Sequence, residues 1–277
     1  MLLLGTRFYE ADSVDGNRRQ QNSIESLRRL QDVRLVNLQF DPDPQRRIVE
    51  GFAEARRLKS TAHSVTGNAG PIKPLANEVF GVLAEMAAEF ECEYFGFLNA
   101  DIQVTQQVLD MVRKGRYEAY IFSRTDVSAG NNHRHVNVYG TDLFVVQQAW
   151  WTRWKGRFRP YILGEACWDN VYTAQLLCHA RAILLNREPL IFHERHPVAW
   201  HDSPFAAHNG RLCALDNLYF SMWAEYIHRL EQLRARQASA EEEIELQSGV
   251  FRWPPPLFAR LKQMGRSLKV RMATLTK

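Results

Sequence analysis

The chain has 277 residues, room for one large domain or two small ones, and a chain of this length buries about three quarters of its unfolded surface. Its 45% hydrophobic and 24% charged residues exclude wholesale disorder, and its longest apolar runs, such as Met1 to Leu4, exclude a membrane span or a signal peptide, since Gly5, Thr6 and Arg7 follow at once. Of the formal net charge of +4, residues 246 to 277 carry seven positive charges (Arg252, Arg260, Lys262, Arg266, Lys269, Arg271 and Lys277) and no negative one, which leaves −3 on residues 1 to 245 and argues against a nucleic-acid-binding core.

In chain order, Met1 to Phe8 reads as a buried strand and Ser23 to Leu30 as a helix with Ser23 as N-cap. Val33 to Phe40 reads as a second strand, and Arg47 to Lys59 as a helix. Thr66 to Pro74, with two glycines and two prolines, is a loop. Leu75 to Phe90 has the apolar spacing of a long helix. Tyr94 to Leu98 is a strand, Thr105 to Lys114 a helix and Ala119 to Ser123 a strand. This alternation predicts an α/β sheet with parallel strands, whose ligands sit at the strands' carboxyl ends. Val171 to Leu184 and Ala214 to Arg236 each read as one helix, and Glu241 to Glu245 with the basic segment behind it as an appended tail. The four cysteines form no CxxC pair, so neither a zinc ribbon nor a disulfide framework is indicated. The chain reads as cytoplasmic, or as lying on the cytoplasmic face of a membrane.

Three segments hold residues suited to chemistry. Tyr94-Phe-Gly-Phe-Leu-Asn99-Ala-Asp101 delivers a carboxylate from a buried strand into a loop, which is how a hard cation is held against a diphosphate. Asn99 and Asp101 equally suit caps of the following turn. In Leu163-Gly-Glu165-Ala-Cys-Trp-Asp169-Asn170, two carboxylates flank a tryptophan before a helix, where one can take a proton from a hydroxyl; Asp169 as N-cap is the alternative. Ile191 to Asp202 holds His193, His196 and His201, and neutral imidazoles suit Mn²⁺ or Zn²⁺, although HExxH is absent. Lys73 in the loop His63 to Pro74 can meet a phosphate, without a P-loop motif, and Asp142 of Tyr139-Gly-Thr-Asp-Leu-Phe can meet a sugar hydroxyl. Trp150, Trp151 and Trp154 suit stacking on sugar rings, or a core.

The order of these segments resembles the GT-A type of nucleotide-sugar-dependent glycosyltransferase, over roughly residues 1 to 205. The resemblance rests on N-A-D after an apolar strand, G-x-D-x-F, G-E-x-x-W-D-N at a helix start, and the late histidines. It implies a GT-A-like (Rossmann-like) domain with a mostly parallel central sheet at 1–210; residues 211–277 have no clear counterpart in it and read as a C-terminal helical extension with a basic amphipathic tail. It further implies a divalent cation, Mn²⁺ or Mg²⁺, on Asp101 with a late histidine (His201, His196 or His193), Asn99 standing where the metal motif has its first acid. Asp169 matches the base position, with Glu165 second. Thr6, Arg7, Lys73, Asn99, Asp101 and Asp142 fall on the nucleotide-sugar side. The implied reaction is inverting transfer to a glycan or lipid-linked acceptor of surface-polysaccharide assembly. The rivals are a metal-dependent hydrolase or phosphodiesterase on His193, His196, His201 and Asp202, and an inactive GT-A-like binding domain. A helix from about Leu257, apolar on one stripe and basic on its flanks, suits an anionic membrane surface, or a basic face packed on the domain.

Overall fold

The computed structural model describes residues 1–128, 131–196 and 203–253. In chain order the elements are β1 (Leu2–Thr6), α1 (Val14–Arg28), β2 (Val33–Phe40), β3 (Ala53–Leu58), α2 (Ala62–Thr66), α3 (Ala76–Glu89), β4 (Tyr94–Leu98), β5 (Ile102–Val104) and α4 (Gln106–Arg113). They continue with β6 (Ala119–Ser128), β7 (Asn131–Gln147), α5 (Gln148–Trp154), α6 (Trp168–His179), β8 (Ala182–Leu185), β9 (Ile191–Glu194), α7 (Ala206–Leu215), α8 (Asn217–Ala235) and α9 (Ala240–Val250). The strands form one sheet in the order β3-β2-β1-β4-β7-β6-β9-β5, with β8 beside β6. Pairing is parallel for β1 with β2 and β4, β2 with β3, and β6 with β8 and β9. Only β7, against β4 and β6, and β5, against β9, run antiparallel, so the sheet is mostly parallel as expected.

Alternation along the strands makes two cores. Leu3 faces one side of the sheet and Leu2 and Leu4 the other. The first core packs α3, α5, α6, α8 and α9 against the sheet around Phe80, whose ring meets Phe95, Phe97, Phe144, Trp151 and Tyr172. The second packs α1 and α4 on the opposite face. At the centre of β4 a Cβ on Gly96 would fall 2.6 Å from Leu4 Cδ2 and 3.1 Å from the Phe144 carbonyl oxygen, so glycine eases the close approach of β1 and β7 to β4.

Several sequence expectations are corrected. The stretch expected as a helix from Arg47 to Lys59 ends in β3, an edge strand that buries Ala55 and Leu58 and turns Glu54, Arg56 and Arg57 outward. Its Ala-Glu-Arg composition favours a helix, and pairing with β2 overrides it. Helix α1 starts at Val14 under the Ser13 side chain, which accepts from the Gly16 N–H at 3.0 Å. Ser23, expected as the cap, is buried inside it and donates to the Ile102 carbonyl at 2.6 Å. The helix expected from Val171 to Leu184 stops at His179, and Ala182 to Leu185 is a strand beside β6. The helix expected from Ala214 to Arg236 is broken at Asp216, whose carboxylate accepts from Arg159 and the Tyr161 hydroxyl.

Glu241 to Glu245 is no appended tail. It belongs to α9, docked through Leu246 and a buried Glu243–Arg234 pair. The boundary set at residue 210 falls inside α7, and core side chains lie on both sides of it. Trp150 and Trp151 are core residues, not sugar platforms. All four cysteines are free, with Cys92 and Cys178 buried. Among the described residues no helix is long and apolar enough to cross a membrane. His201, Asp202 and the proposed basic helix from Leu257 lie outside the described residues.

Candidate active site

Strand β4 ends at Leu98, and Asn99, Ala100 and Asp101 turn the chain into β5. Strand β9 lies between β5 and β6, with His193 opposite Ile102 on one side and Asp126 on the other. This register puts the Asp101 and Asp126 carboxylates on opposite ends of one imidazole. His193 Nδ1 is 3.1 Å from Asp126 Oδ1 and its Nε2 3.4 Å from Asp101 Oδ2. Two residues past β9, His196 Nε2 reaches the same Asp101 oxygen at 3.0 Å. One donor atom each from Asp101, His193 and His196 lies within 4.8 Å of the others. A carboxylate with two imidazoles is a donor set for a first-row divalent cation, so the residues present fit the group that the sequence implies.

The electrostatics agree with that fit. Burial raises the Asp101 carboxyl, but hydrogen bonds from His193 and His196 outweigh it and hold it well below the usual range. Burial lowers His193, but its bonds to Asp101 and Asp126 outweigh that and raise it to about 9. In Asp126 burial is again outweighed, by His193 and then Asn137, which holds it at about 2. Asp101 and Asp126 are thus ionised at neutral pH, with a protonated His193 between them.

The network continues to the next candidates. Arg124 donates from Nε to Asp126 at 2.9 Å and from Nη1 to Asp142 Oδ2 at 3.0 Å. The other Asp142 oxygen accepts from the Asn99 amide at 2.5 Å. Gly140 permits this, because a side chain there would lie 3.0 Å from the Arg124 guanidinium carbon. Asp142 also raises the Asp169 carboxyl, after burial, to about 7. The backbone amides of Asp169 and Asn170 only partly offset that rise. Asp169 is in the first turn of α6, whose N-cap is Cys167 at φ 76°, so Asp169 is not the cap that the sequence alternative held it to be.

The remaining candidates are held differently. Glu165 is buried, and its Oε1 accepts from Lys73 and from the Ser203 hydroxyl, each at 2.6 Å. Arg7 is buried in an ion pair with Asp43 at 3.0 Å, between the rings of Tyr9 and Phe40. Thr6 ends β1, fully buried, with its hydroxyl unpartnered. The structure brings together Asn99, Asp101, Asp142, His193 and His196, and through Asp142 it reaches Asp169. Lys73 and Glu165 form a pair of their own.

Sequence reasoning missed Arg124 and Asp126. Their signal is R-x-D on a strand, where residues two apart share a face. It missed Tyr9 as well, whose hydroxyl is affected by the Asp101 charge and is raised by burial first.

No family model matches this chain, and no curated protein matches it. Among solved structures it is similar to residues 1–349 of S. aureus TarS in complex with UDP-GlcNAc, at 11% identity and a TM-score of 0.53, over 99% of this chain and 91% of that one. The same TarS segment without that partner gives 12% and 0.51, over 99% and 91%. A longer TarS structure gives 11% and 0.50, over 98% of this chain and 55% of that one. At such identities the likeness is one of fold. The chain has a GT-A-like fold, as its segments led us to expect.

Proposed function

We propose that this protein is a glycosyltransferase that moves a sugar from a nucleotide-sugar donor to a hydroxyl acceptor. The observation that carries the reading is a set of donors that can hold a cation, Asp101 with His193 and His196, on a GT-A-like fold; the Asp169 carboxyl in α6, raised by burial and then by Asp142 to about 7, supports it. The UDP-GlcNAc in the TarS complex supports a nucleotide-sugar donor here.

Asp101, His193 and His196 would hold a divalent cation, and two imidazoles with one carboxylate suit Mn²⁺ better than Mg²⁺. Bound there, it supplies positive charge against the charge that develops on a diphosphate leaving group. His201 stays a further candidate ligand on sequence grounds. Asn99, Asp142 and Thr6 are the donor-side residues. Arg7 and Lys73 commit their charges to Asp43 and Glu165, so their proposed part is to wall the donor rather than to clamp a phosphate. Asp169 takes the proton from the acceptor hydroxyl, and the hydroxyl attacks the anomeric carbon from the opposite side, with inversion; retention is the runner-up. A base with a pKa near the working pH is the efficient choice, which suits Asp169, while Glu165 is engaged by Lys73 and Ser203.

The acceptor we propose is a glycan or lipid-linked saccharide of surface-polysaccharide assembly. The seven cations of residues 246 to 277 support attachment at the cytoplasmic face of an anionic membrane. A thermal-shift screen of UDP, GDP, CMP and ADP, each with and without Mn²⁺, tests the reading. A melting temperature raised by one nucleotide only with Mn²⁺ is expected. A rise with Mn²⁺ or Zn²⁺ alone, and none with any nucleotide, would point to a hydrolase instead.

A further inference from the structure

We propose that Asp126 is the positioning residue of the cation site: it keeps the His193 proton on Nδ1 and so turns Nε2 toward the cation. This rests on the cation-assisted reading above. Asp126 is not itself in the ligand set, and its contact with His193 is on the ring nitrogen away from Asp101. Of the two carboxylates that His193 meets among the described residues, Asp126 is the nearer, at 3.1 Å against 3.4 Å. The imidazole is therefore held from behind, and its front nitrogen is the one left for exchange. A ligating histidine whose second nitrogen is bonded to a carboxylate has its tautomer and ring orientation fixed and its basicity raised.

The surroundings of Asp126 require a group that only accepts. Its Oδ1 accepts from His193 Nδ1 and from Arg124 Nε, and its Oδ2 from Asn137 Nδ2 at 3.0 Å, with Arg195 Nε 3.7 Å away. Each of these four neighbours is a donor, and the carboxylate is buried. An amide in its place would set its own N–H₂ against one of those donors. The second arm of Arg124 holds Asp142, and Asp142 holds Asn99. The orientation of His193 is thus tied through two charged side chains to the donor-side residues. That distinguishes Asp126 from a carboxylate that only neutralises a nearby arginine.

The test is an Mn²⁺ titration of the full chain, followed by the paramagnetic resonance signal of the free ion. It compares the wild type, Asp126→Asn, His193→Ala and the double variant, with melting temperatures recorded alongside. We expect Asp126→Asn to weaken Mn²⁺ binding by about 10- to 100-fold, the usual effect of losing an outer-shell partner. In the His193→Ala background the same change should alter the affinity by no more than about twofold, because the orienting effect has nothing left to orient. Equal losses in both backgrounds would make Asp126 a general electrostatic group and overturn the proposal. Unchanged Mn²⁺ affinity in Asp126→Asn would also overturn it, while leaving the cation reading intact. A wild type that takes up no Mn²⁺ would overturn both. If Asp126→Asn does not fold, Asp126→Glu keeps the charge for Arg124 and moves His193 by a methylene, and the same comparison decides.

Discussion

Glu165 and Asp169 lie four residues apart. Glu165 is held by Lys73 and Ser203, while Asp169 faces backbone amides and the charge of Asp142. The two substitutions therefore separate structure from chemistry. Asp169→Asn should lower transfer by at least about 10²-fold, the scale of losing a general base, with nucleotide affinity unchanged. The same variant should be more stable than the wild type at pH 8. A carboxyl raised by burial from 3.8 to about 7 keeps its proton in the folded state after the unfolded chain has lost it. Stability therefore falls as pH rises through that window, by on the order of 4 kcal/mol, and stays low above it. Urea midpoints of both proteins at pH 4 and pH 8 check the sign: equal at pH 4, and higher for the variant at pH 8. Transfer by the wild type should rise with pH through about 7 for the same reason. Glu165→Gln leaves the Lys73 ammonium short of a partner and should cost about 3 kcal/mol of stability at neutral pH. A Glu165→Gln variant of native melting temperature and lost transfer would instead make Glu165 the base.

At the scale of elements, what could be read in the sequence was what is local. β1, β2, β4 and α3 are legible because apolar runs and helical spacing are written within one stretch of chain. β3 is not, since its residues prefer a helix and only the neighbouring strand makes them extended. The break at Asp216 is hidden too, because its partners Arg159 and Tyr161 are more than fifty residues away. Asp101, His193 and His196 could be named separately from residue type. Their common geometry depends on β9 lying between β5 and β6, which no local pattern states. α9 belongs with the hidden group: Gln247 bonds both backbone groups of Leu184, and Leu246 and Phe251 enter the first core. Phe251→Ala should therefore destabilise the whole protein by about 3 kcal/mol, the scale of a large-to-small core change, read as a single lowered melting transition. A second, separate transition would show α9 to be an independent unit.

For the whole molecule, the docking of α9 decides where the chain must be cut to test the membrane proposal. Trp253 stacks on Tyr219 at 5.9 Å and lies 4.4 Å from the His179 ring, so removal of everything after Val250 would strip core contacts as well as charge. Truncation after Trp253 spares them and still removes six of the seven cations, all but Arg252. We expect the full chain to float with anionic liposomes at low salt, to be released at high salt, and to stay in solution when truncated there. Flotation that survives truncation would place the attachment elsewhere. The spacing of the proposed cation ligands bears on the making of the protein. Asp101 and His196 are 95 residues apart in the chain. At about 5–20 residues per second, a ribosome completes that interval in on the order of 5–20 s. Throughout it the emerging half has its first strands and its aspartate, while His193 and His196 come only at the end of the interval. On the reading proposed above, a growing polypeptide therefore gathers no cation on these three residues until β9 is threaded between its neighbours.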